Sequence, residues 1–467
     1  MAKNLSVKDI VEITNGKLII GNDQFICKNF LIDTRKLKKD DVFVAIKGDG
    51  VDGNSFWKNA FESGAKVVIL DNTEFLDKDL SDYKEKIIIK VEDTIEAMQK
   101  LAIKKRELYK EIPVIAITGS VGKTSTKDTI ASVLSQKYKV LKTQGNYNNG
   151  LGVPLTILSL QDEELAVVEM GMNHFGEIEL LSKIAKPNIA VITNIGTSHI
   201  GNLGSRENIL KAKLEILDGM EKPVVVVNND NDLLHDWAKK NANKFKIRTF
   251  GVENKSEAMA KNINSKENYS EFTCNLEGDE FNIKVPVPGN HFVLNALCSA
   301  LLGRMMNLTN QEIAQGIGKL ELTKKRMEVT VLKNEIKIIN DSYNASYESM
   351  KAAIEYLSAM ENGRKIAVLG DMFELGEYAE ELHKKVGEEV AKNNIDILLC
   401  CGENAKYIAK EAEEKGMPKE KIYYKENLKE LEQTLKKLLK PQDNVLIKAS
   451  NGMQFFKLAE RIIGGQF

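Results

Sequence analysis

Residues 115–125 read Ile-Ala-Ile-Thr-Gly-Ser-Val-Gly-Lys-Thr-Ser, and no other stretch limits the possible folds as strongly. An apolar run ends at Thr118, a glycine turn follows, and Lys123-Thr124 opens a helix that Asp128 to Tyr138 are expected to continue. Gly119 and Gly122 allow backbone N–H groups to face an anion, and the helix N-terminus adds a favourable dipole. Lys123 would reach the outer phosphates of a nucleotide, and the Thr124 hydroxyl would ligate magnesium. The expected ligand is a nucleoside triphosphate. Where the common phosphate-loop pattern carries its first glycine, this chain has Ile117, so the loop is a shortened form. A glycine turn with a chance Lys-Thr is the bland alternative. The order strand, turn, helix argues against it.

At 467 residues the chain is too long for one ordinary core, and roughly two to four domains are expected. Lys plus Arg number 66 and Asp plus Glu 67, so no net field draws the chain to nucleic acid or to a membrane surface. The cysteines, Cys27, Cys274, Cys298, Cys400 and Cys401, are scattered without a Cys-x-x-Cys pair. Neither zinc nor a disulfide framework is suggested, and a reducing compartment fits. The N-terminus lacks a signal-peptide profile and no apolar run is long enough to span a bilayer. The expected location is cytoplasmic.

Residues 1–91 read as a small α/β unit. It has helices at 5–14 and 56–63 and strands at 41–46, 66–70 and 86–91. A helix from Thr94 to Tyr109 leads into the phosphate-loop strand. From Pro113 on, near-continuous apolar runs at 114–118, 165–168, 189–193 and 224–227 alternate with helices. That is the pattern of parallel strands buried on both faces. A doubly wound sheet follows, with ligands at the carboxyl ends of its strands. A charged linker lies near 320–326. A second alternation, with strands at 335–339, 365–369, 395–400, 421–424 and 444–447, reads as a Rossmann-like domain. It has no Gly-x-Gly-x-x-Gly fingerprint, so a nicotinamide cofactor is not indicated. The expected fold class is α/β in three domains. These are a small α/β N-terminal domain (1–91), a central P-loop-type doubly wound ATPase domain (92–321) and a C-terminal Rossmann-like domain (322–467).

Glu169 ends the strand Leu-Ala-Val-Val, where an acid beside a phosphate loop is suited to magnesium. A plain strand-end acid is the alternative. His199 closes the loop Asn194-Ile-Gly-Thr-Ser-His, either as a second metal ligand or as a polar loop residue. Lys213, in Lys-Ala-Lys-Leu-Glu, reads as an ordinary helical face. Asn146, Asn148 and Asn149 fill an amide-rich, glycine-rich segment suited to a crowded phosphate site or to a plain turn. Asn295, one turn beyond His291, and Asp341, Tyr343 and Asn344 after a strand are either caps and turns or a nucleotide-contacting rim, with Arg326 between the two clusters.

Together these residues resemble the Mur ligase family of cell-wall synthesis, over essentially the whole chain and in the family's three-domain order. The matching elements are the shortened Thr-Gly-x-x-Gly-Lys-Thr loop, the Asn-x-Asn-Asn-x-x-Gly-x-Pro segment, Glu169-Met-Gly, the Asn-Ile-x-x-x-His199 run and Ala-Lys213-x-Glu. Each is weak alone; their order and spacing are specific. Further features resemble the family member that adds D-alanyl-D-alanine to UDP-N-acetylmuramoyl-tripeptide. They are Asp33-Thr34-Arg35, Lys47-Gly48 and Asp52-Gly53, then Asp341-Ser-Tyr-Asn344-Ala with Glu348-Ser-Met, and Leu369-Gly-Asp-Met-x-Glu374-Leu-Gly376.

The resemblance implies an ATP-dependent amide ligase of peptidoglycan precursor synthesis. ATP would be held by Thr118, Gly119, Ser120, Val121, Gly122, Lys123, Thr124 and Ser125, with Asn148, Asn295, Arg326 and Asp341. Thr124 and Glu169 would bind a first magnesium ion (Mg2+), His199 and Lys213 a second, with Lys213 carbamylated by CO2. Lys123, Glu169, His199 and Lys213 would form the catalytic set. Asp33, Thr34, Arg35, Lys47, Asp52, Asn146, Asn149, Tyr343 and Asn344 would contact substrate. The chain would act as a monomer, without nucleic acid or membrane insertion. It departs from the family pattern at Asn54 (usually His), Phe292 (usually Asn), Ser346-Tyr347 (usually Asn-Pro) and Ala449 and Asn451, where an expected arginine is missing. Three rivals stand beside this reading, one of them a non-catalytic nucleotide-binding scaffold, against which the intact Lys123, Glu169, His199 and Lys213 speak. A sister ligase would add a single amino acid, and a nucleotide switch would hydrolyse without an acceptor amine.

Overall fold

The structure, a computed structural model, describes residues 3–465. Among the described residues the chain is carried by three large sheets, beside a two-stranded antiparallel pair of Leu5–Ser6 with Ile26–Cys27. The first has the order Lys17–Ile20, Ile87–Lys90, Val67–Leu70, Val42–Val44, Phe30–Leu31. Its first pair is antiparallel and the rest are parallel. The central sheet has nine strands in the order Asp279–Val285, Ser270–Leu276, Ala258–Ser265, Lys246–Gly251, Val224–Asn228, Ile189–Ile192, Val114–Thr118, Leu165–Glu169, Val140–Lys142. The third has six: Glu328–Val331, Lys337–Asn340, Asn444–Lys448, Lys365–Gly370, Ile397–Cys401, Ile422–Lys425. It is parallel except for its first pair.

By compactness the chain falls into two units. One runs up to Thr118 and includes Lys137–Val191 and Leu214–Val225; the other comprises Gly119–Gln136, Ile192–Lys213 and everything from Val226 on. Within the first unit, Trp57 is buried with Phe61 and Tyr83 edge-on to its ring, at centroid distances of 6.1 and 4.9 Å. Each such pair adds about 0.5–1.5 kcal/mol beyond burial. The helix Val7–Thr14 begins where Ser6 and Asp9 cap each other: Asp9 N–H donates to Ser6 Oγ at 3.1 Å and Ser6 N–H to Asp9 Oδ2 at 2.7 Å. In the second unit the inward faces of the third sheet (Ile338, Val368, Leu399, Ile447) and the helix Phe455–Ile463 form one apolar cluster.

Several expectations shift. The phosphate-loop helix spans Lys123–Leu134 and stops short of Tyr138, because residues 135–139 turn the chain into the strand Val140–Lys142. The expected strand at 335–339 begins at Lys337, since Glu335 takes a left-handed turn at φ 62. The doubly wound reading omitted the strands Val140–Lys142 and Lys246–Gly251, as well as Ala258–Ser265, which pairs parallel to Lys246–Gly251, and Ser270–Leu276 and Asp279–Val285, which continue the sheet antiparallel. The alternating burial of Ser270–Leu276 marks a strand with one covered face. All five cysteines are buried and free.

Candidate active site

The helix Lys123–Leu134 has Gly122 as its N-cap, at φ 83, with no side-chain cap. Its first-turn N–H groups therefore lack the usual side-chain acceptor, which leaves an anion-binding terminus. Lys123 curls back over the loop, its Nζ donating to the carbonyls of Gly119 at 2.7 Å and Ser120 at 3.4 Å. Gly119 takes φ 151, and a Cβ there would collide with Thr193 Oγ1. The turn is thus as tight as its glycines permit.

The loop leans on the segment after strand Ile189–Ile192. Asn194 holds it twice, accepting Ser120 N–H on its carbonyl at 3.0 Å and Val121 N–H on its side-chain oxygen at 2.9 Å. Thr193 Oγ1 donates to the Val121 carbonyl at 2.7 Å, and Gly196 N–H donates to Ser120 Oγ at 2.9 Å. Sequence reasoning named His199 in this segment and passed over Thr193 and Asn194. The polar run that begins at the strand's end was the available signal.

Glu169 lies in register with Ile117, two residues before Gly119. It is buried; Asn148 Nδ2 donates to its Oε1 at 2.8 Å, and its own N–H donates to Thr143 Oγ1 at 3.0 Å. Asn149 instead caps a turn, accepting Gly152 N–H at 2.9 Å, while Asn146 is exposed. Thr118 Oγ1 is buried with no protein partner, an orphaned hydroxyl at the mouth of the loop.

On the helix Asn290–Met305, Asn295 accepts the Thr126 hydroxyl at 2.9 Å. Its Nδ2 is buried without an acceptor, and so is Arg326 Nε. The Arg326 guanidinium stacks 4.2 Å from the centre of the Tyr343 ring. Asp341 accepts Met327 N–H at 3.1 Å and pairs with Lys448, whose Nζ also reaches the Asn344 carbonyl at 3.0 Å. The second polar cluster and Arg326 thus come together, with the Arg326 Nε donor left without an acceptor.

His199 stands at φ 64 with its Nδ1 against Glu374. Lys213 is buried, and desolvation together with the Lys123 charge pulls its ammonium pKa well below the lysine value. At the other candidate end, Arg35 forks onto Asp33 at 2.8 and 2.9 Å and holds that carboxyl down to about 2. Arg35 is otherwise exposed, and Thr34 follows Asp33 in the same short helix. The backbones of Lys47 and Asp52 pair in an isolated antiparallel β-bridge. Asn54 is buried and fully used: its Nδ2 donates to Asp52 and Asp71 at 2.7 Å each, and its Oδ1 accepts the N–H groups of Asp71 and Asn72 at 3.2 and 3.3 Å. Phe292 is buried against the His291 ring, and Ser346 caps its helix through Ser349.

Among the described residues no three His, Cys, Asp or Glu side chains converge as a metal cage. The buried Glu169 carboxylate is of the chemical kind that suits magnesium, which is usually bound through one or two carboxylates and substrate phosphates. Among those residues no helix is long and apolar enough to cross a membrane.

Comparison with known proteins agrees along the chain. Family models match in three pieces: the Mur ligase family catalytic domain at residues 28–106, the Mur ligase middle domain at 117–303, and the Mur ligase glutamate ligase domain at 325–451. The UDP-N-acetylmuramoyl-tripeptide–D-alanyl-D-alanine ligase of Bacillus subtilis (strain 168) is 37% identical over 464 residues, covering 98% of each chain. The ligase of the same name from Escherichia coli (strain K12) is 34% identical over 410 residues, 87% of this chain and 88% of its own. A crystal structure of MurF from Acinetobacter baumannii superposes with a TM-score of 0.86 at 29% identity, covering 99% of both chains. The MurF ligase of Thermotoga maritima in complex with ADP gives 0.78 at 29% identity, over 94% of this chain and 97% of that one.

Proposed function

The chain belongs to the Mur ligase family, and from that premise we propose that it joins D-alanyl-D-alanine to UDP-N-acetylmuramoyl-tripeptide at the expense of ATP. The observation that carries this reading is the full-length likeness to ligases of that name. The product is a peptidoglycan precursor, with ADP and phosphate released.

Amide formation from a carboxylate and an amine is unfavourable in water, so the carboxylate must first be activated. The tripeptide's terminal carboxylate attacks the γ-phosphate to give an acyl phosphate. The dipeptide amine then attacks the carbonyl, and phosphate leaves from the tetrahedral intermediate. Two anions meet in the first step, so positive charge must be in place beforehand. Lys123, already folded over the Gly119 and Ser120 carbonyls, is poised for the outer phosphates. The uncapped N–H groups at Gly122–Lys123 add fixed dipoles. Asn148 holds the Glu169 carboxylate by its Oε1. The free donors Asn295 Nδ2 and Arg326 Nε, with Asp341, suit the polar edge of adenine and ribose.

Thr124 and Glu169 would hold one magnesium ion, and His199 with a carbamate on Lys213 a second; bound there, the ions would neutralise phosphate charge. A carbamate suits Lys213 because burial and the Lys123 charge both favour its neutral amine, the form that is nucleophilic toward CO2. Asp33, Thr34, Arg35, Lys47 and Asp52 are assigned to the UDP end, Asn146 and Asn149 to the substrate beside the phosphates, and Tyr343 and Asn344 to the acceptor side. Domain edges at 91 and 321 fit the three sheets, and the enzyme works as a cytoplasmic monomer.

The experiment is a substrate swap under Mg-ATP. UDP-N-acetylmuramoyl-tripeptide is offered D-alanyl-D-alanine or single amino acids, and the nucleotide product is weighed. Gain of the dipeptide's mass is the expected result; gain of one amino acid instead would assign the chain to a sister ligase.

A further inference from the structure

The segment that braces the phosphate loop is gripped from its other side. Glu348 is the second residue of the helix Tyr347–Ser358 and reaches back to that segment. Its Oε1 accepts Thr197 N–H at 2.8 Å and its Oε2 accepts the Thr197 hydroxyl at 3.1 Å. The approach requires Gly196, where a Cβ would stand 2.6 Å from the Glu348 carboxyl. The same Gly196 gives its N–H to Ser120 Oγ. A second grip lies a few residues on: Glu374 meets His199, its carbonyl accepts Gly201 N–H at 3.0 Å, and Tyr378 Oη donates to the Gly204 carbonyl at 2.7 Å. The backbones touch here, since a Cβ on Gly201 would lie 2.5 Å from Gly376 N. Residues 194–204 are therefore clasped between the phosphate loop and two carboxylates from the elements of the third sheet.

We propose that Glu348 is a positioning residue: by fixing Gly196-Thr197 from the third-sheet side, it sets the brace under Ser120 and Val121 and the placement of His199, with Glu374 as the second point of the same latch. A carboxylate accepting a backbone N–H and a hydroxyl makes charge-assisted bonds, stronger than neutral ones and directional. It is thus suited to hold a loop whose own backbone ends in a left-handed residue, His199. The consequence for turnover rests on the ligase reading. The phosphate-binding geometry is complete only while the third-sheet elements sit on the segment, so activation of the carboxylate is coupled to the part of the chain assigned to the acceptor.

The test is hydrogen–deuterium exchange on the full-length chain, wild type against Glu348→Ala, with steady-state kinetics in parallel. Exchange in peptides spanning 194–201 should quicken about tenfold, while the interior of the Lys123–Leu134 helix keeps its protection. In the same variant kcat should fall about tenfold with KM for the UDP-linked peptide nearly unchanged. Thr197→Val removes one bond from the opposite side. It should act in the same direction but less strongly, and adding it to Glu348→Ala should cost little more. Should Glu348→Ala fail to fold, Thr197→Val carries the test alone. Unchanged exchange at 194–201 would overturn the latch, and faster exchange with unaltered kcat would overturn the positioning role. If the wild type shows no ligase activity, the functional reading fails, and the exchange result still decides the latch.

Discussion

Lys213 is sealed from solvent within reach of the Lys123 charge, and burial together with that like charge pulls its ammonium pKa well below the usual lysine value. Both effects favour the neutral amine, the form that is nucleophilic toward CO2, and the anionic carbamate so formed would be attracted to Lys123. Lys213→Ala is therefore expected to lower turnover by a hundredfold or more, on the order of what one electrostatic catalytic group supplies. Short carboxylates or carbamates added to that variant should restore part of the rate. Steady-state phosphate release measures both, and full activity in the variant would remove Lys213 from the chemistry.

Gly119 holds φ 151 with Thr193 Oγ1 where a Cβ would go. Gly119→Ala must therefore strain the backbone or displace Thr193 from the Val121 carbonyl. Strain of that kind costs about 1–3 kcal/mol, so nucleotide affinity should weaken roughly tenfold to a hundredfold. Calorimetric titration with ADP reads it directly. Unaltered affinity would mean the loop does not cradle the phosphates.

Asn54 uses both faces of its amide, bridging Asp52, Asp71 and Asn72 in a buried position. Truncation strands several of those groups. Asn54→Ala should therefore destabilise the chain by about 1–3 kcal/mol, seen as a lower denaturation midpoint with an unchanged m value. A neutral result would show that water replaces the amide at no cost.

Burial, opposed by Asp341 and reinforced by Lys448, pushes the His291 imidazole down from 6.5 to about 4. The unfolded chain then binds the proton first as pH falls, so stability drops across the window from 6.5 down to about 4 and this contribution levels off below it. In the wild type the slope from this group can reach about 1.4 kcal/mol per pH unit. His291→Gln should flatten the acid limb of stability against pH by up to one proton. An identical slope in both proteins would place the titrating group elsewhere.

How much was legible in the sequence differs by element. Val114–Thr118 and Leu165–Glu169 were readable because strands buried on both faces are near-continuous apolar runs. The antiparallel strands from Ala258 to Val285 were missed because alternation with polar residues such as Thr273 and Asn275 resembles a loop unless it is counted. The glycine turn and Lys123 could be placed from local spacing alone. Lys213 could not, because its neighbours read as a solvated helix face and only its tertiary burial shows otherwise. Glu348 and Glu374 were visible as motif residues without a task. Their partners Thr197 and His199 lie 151 and 175 positions away, a separation that only the fold closes.

The central claim is that phosphate-loop chemistry here is spent on activating the carboxylate of a nucleotide-linked peptide for attack by a dipeptide amine. Its most direct test is phosphate release from Mg-ATP with UDP-N-acetylmuramoyl-tripeptide and D-alanyl-D-alanine supplied singly and together. Release confined to the complete mixture, matched by a pentapeptide product, is the expected result; release that proceeds at the same rate without either substrate would contradict it and mark the chain as a nucleotide switch.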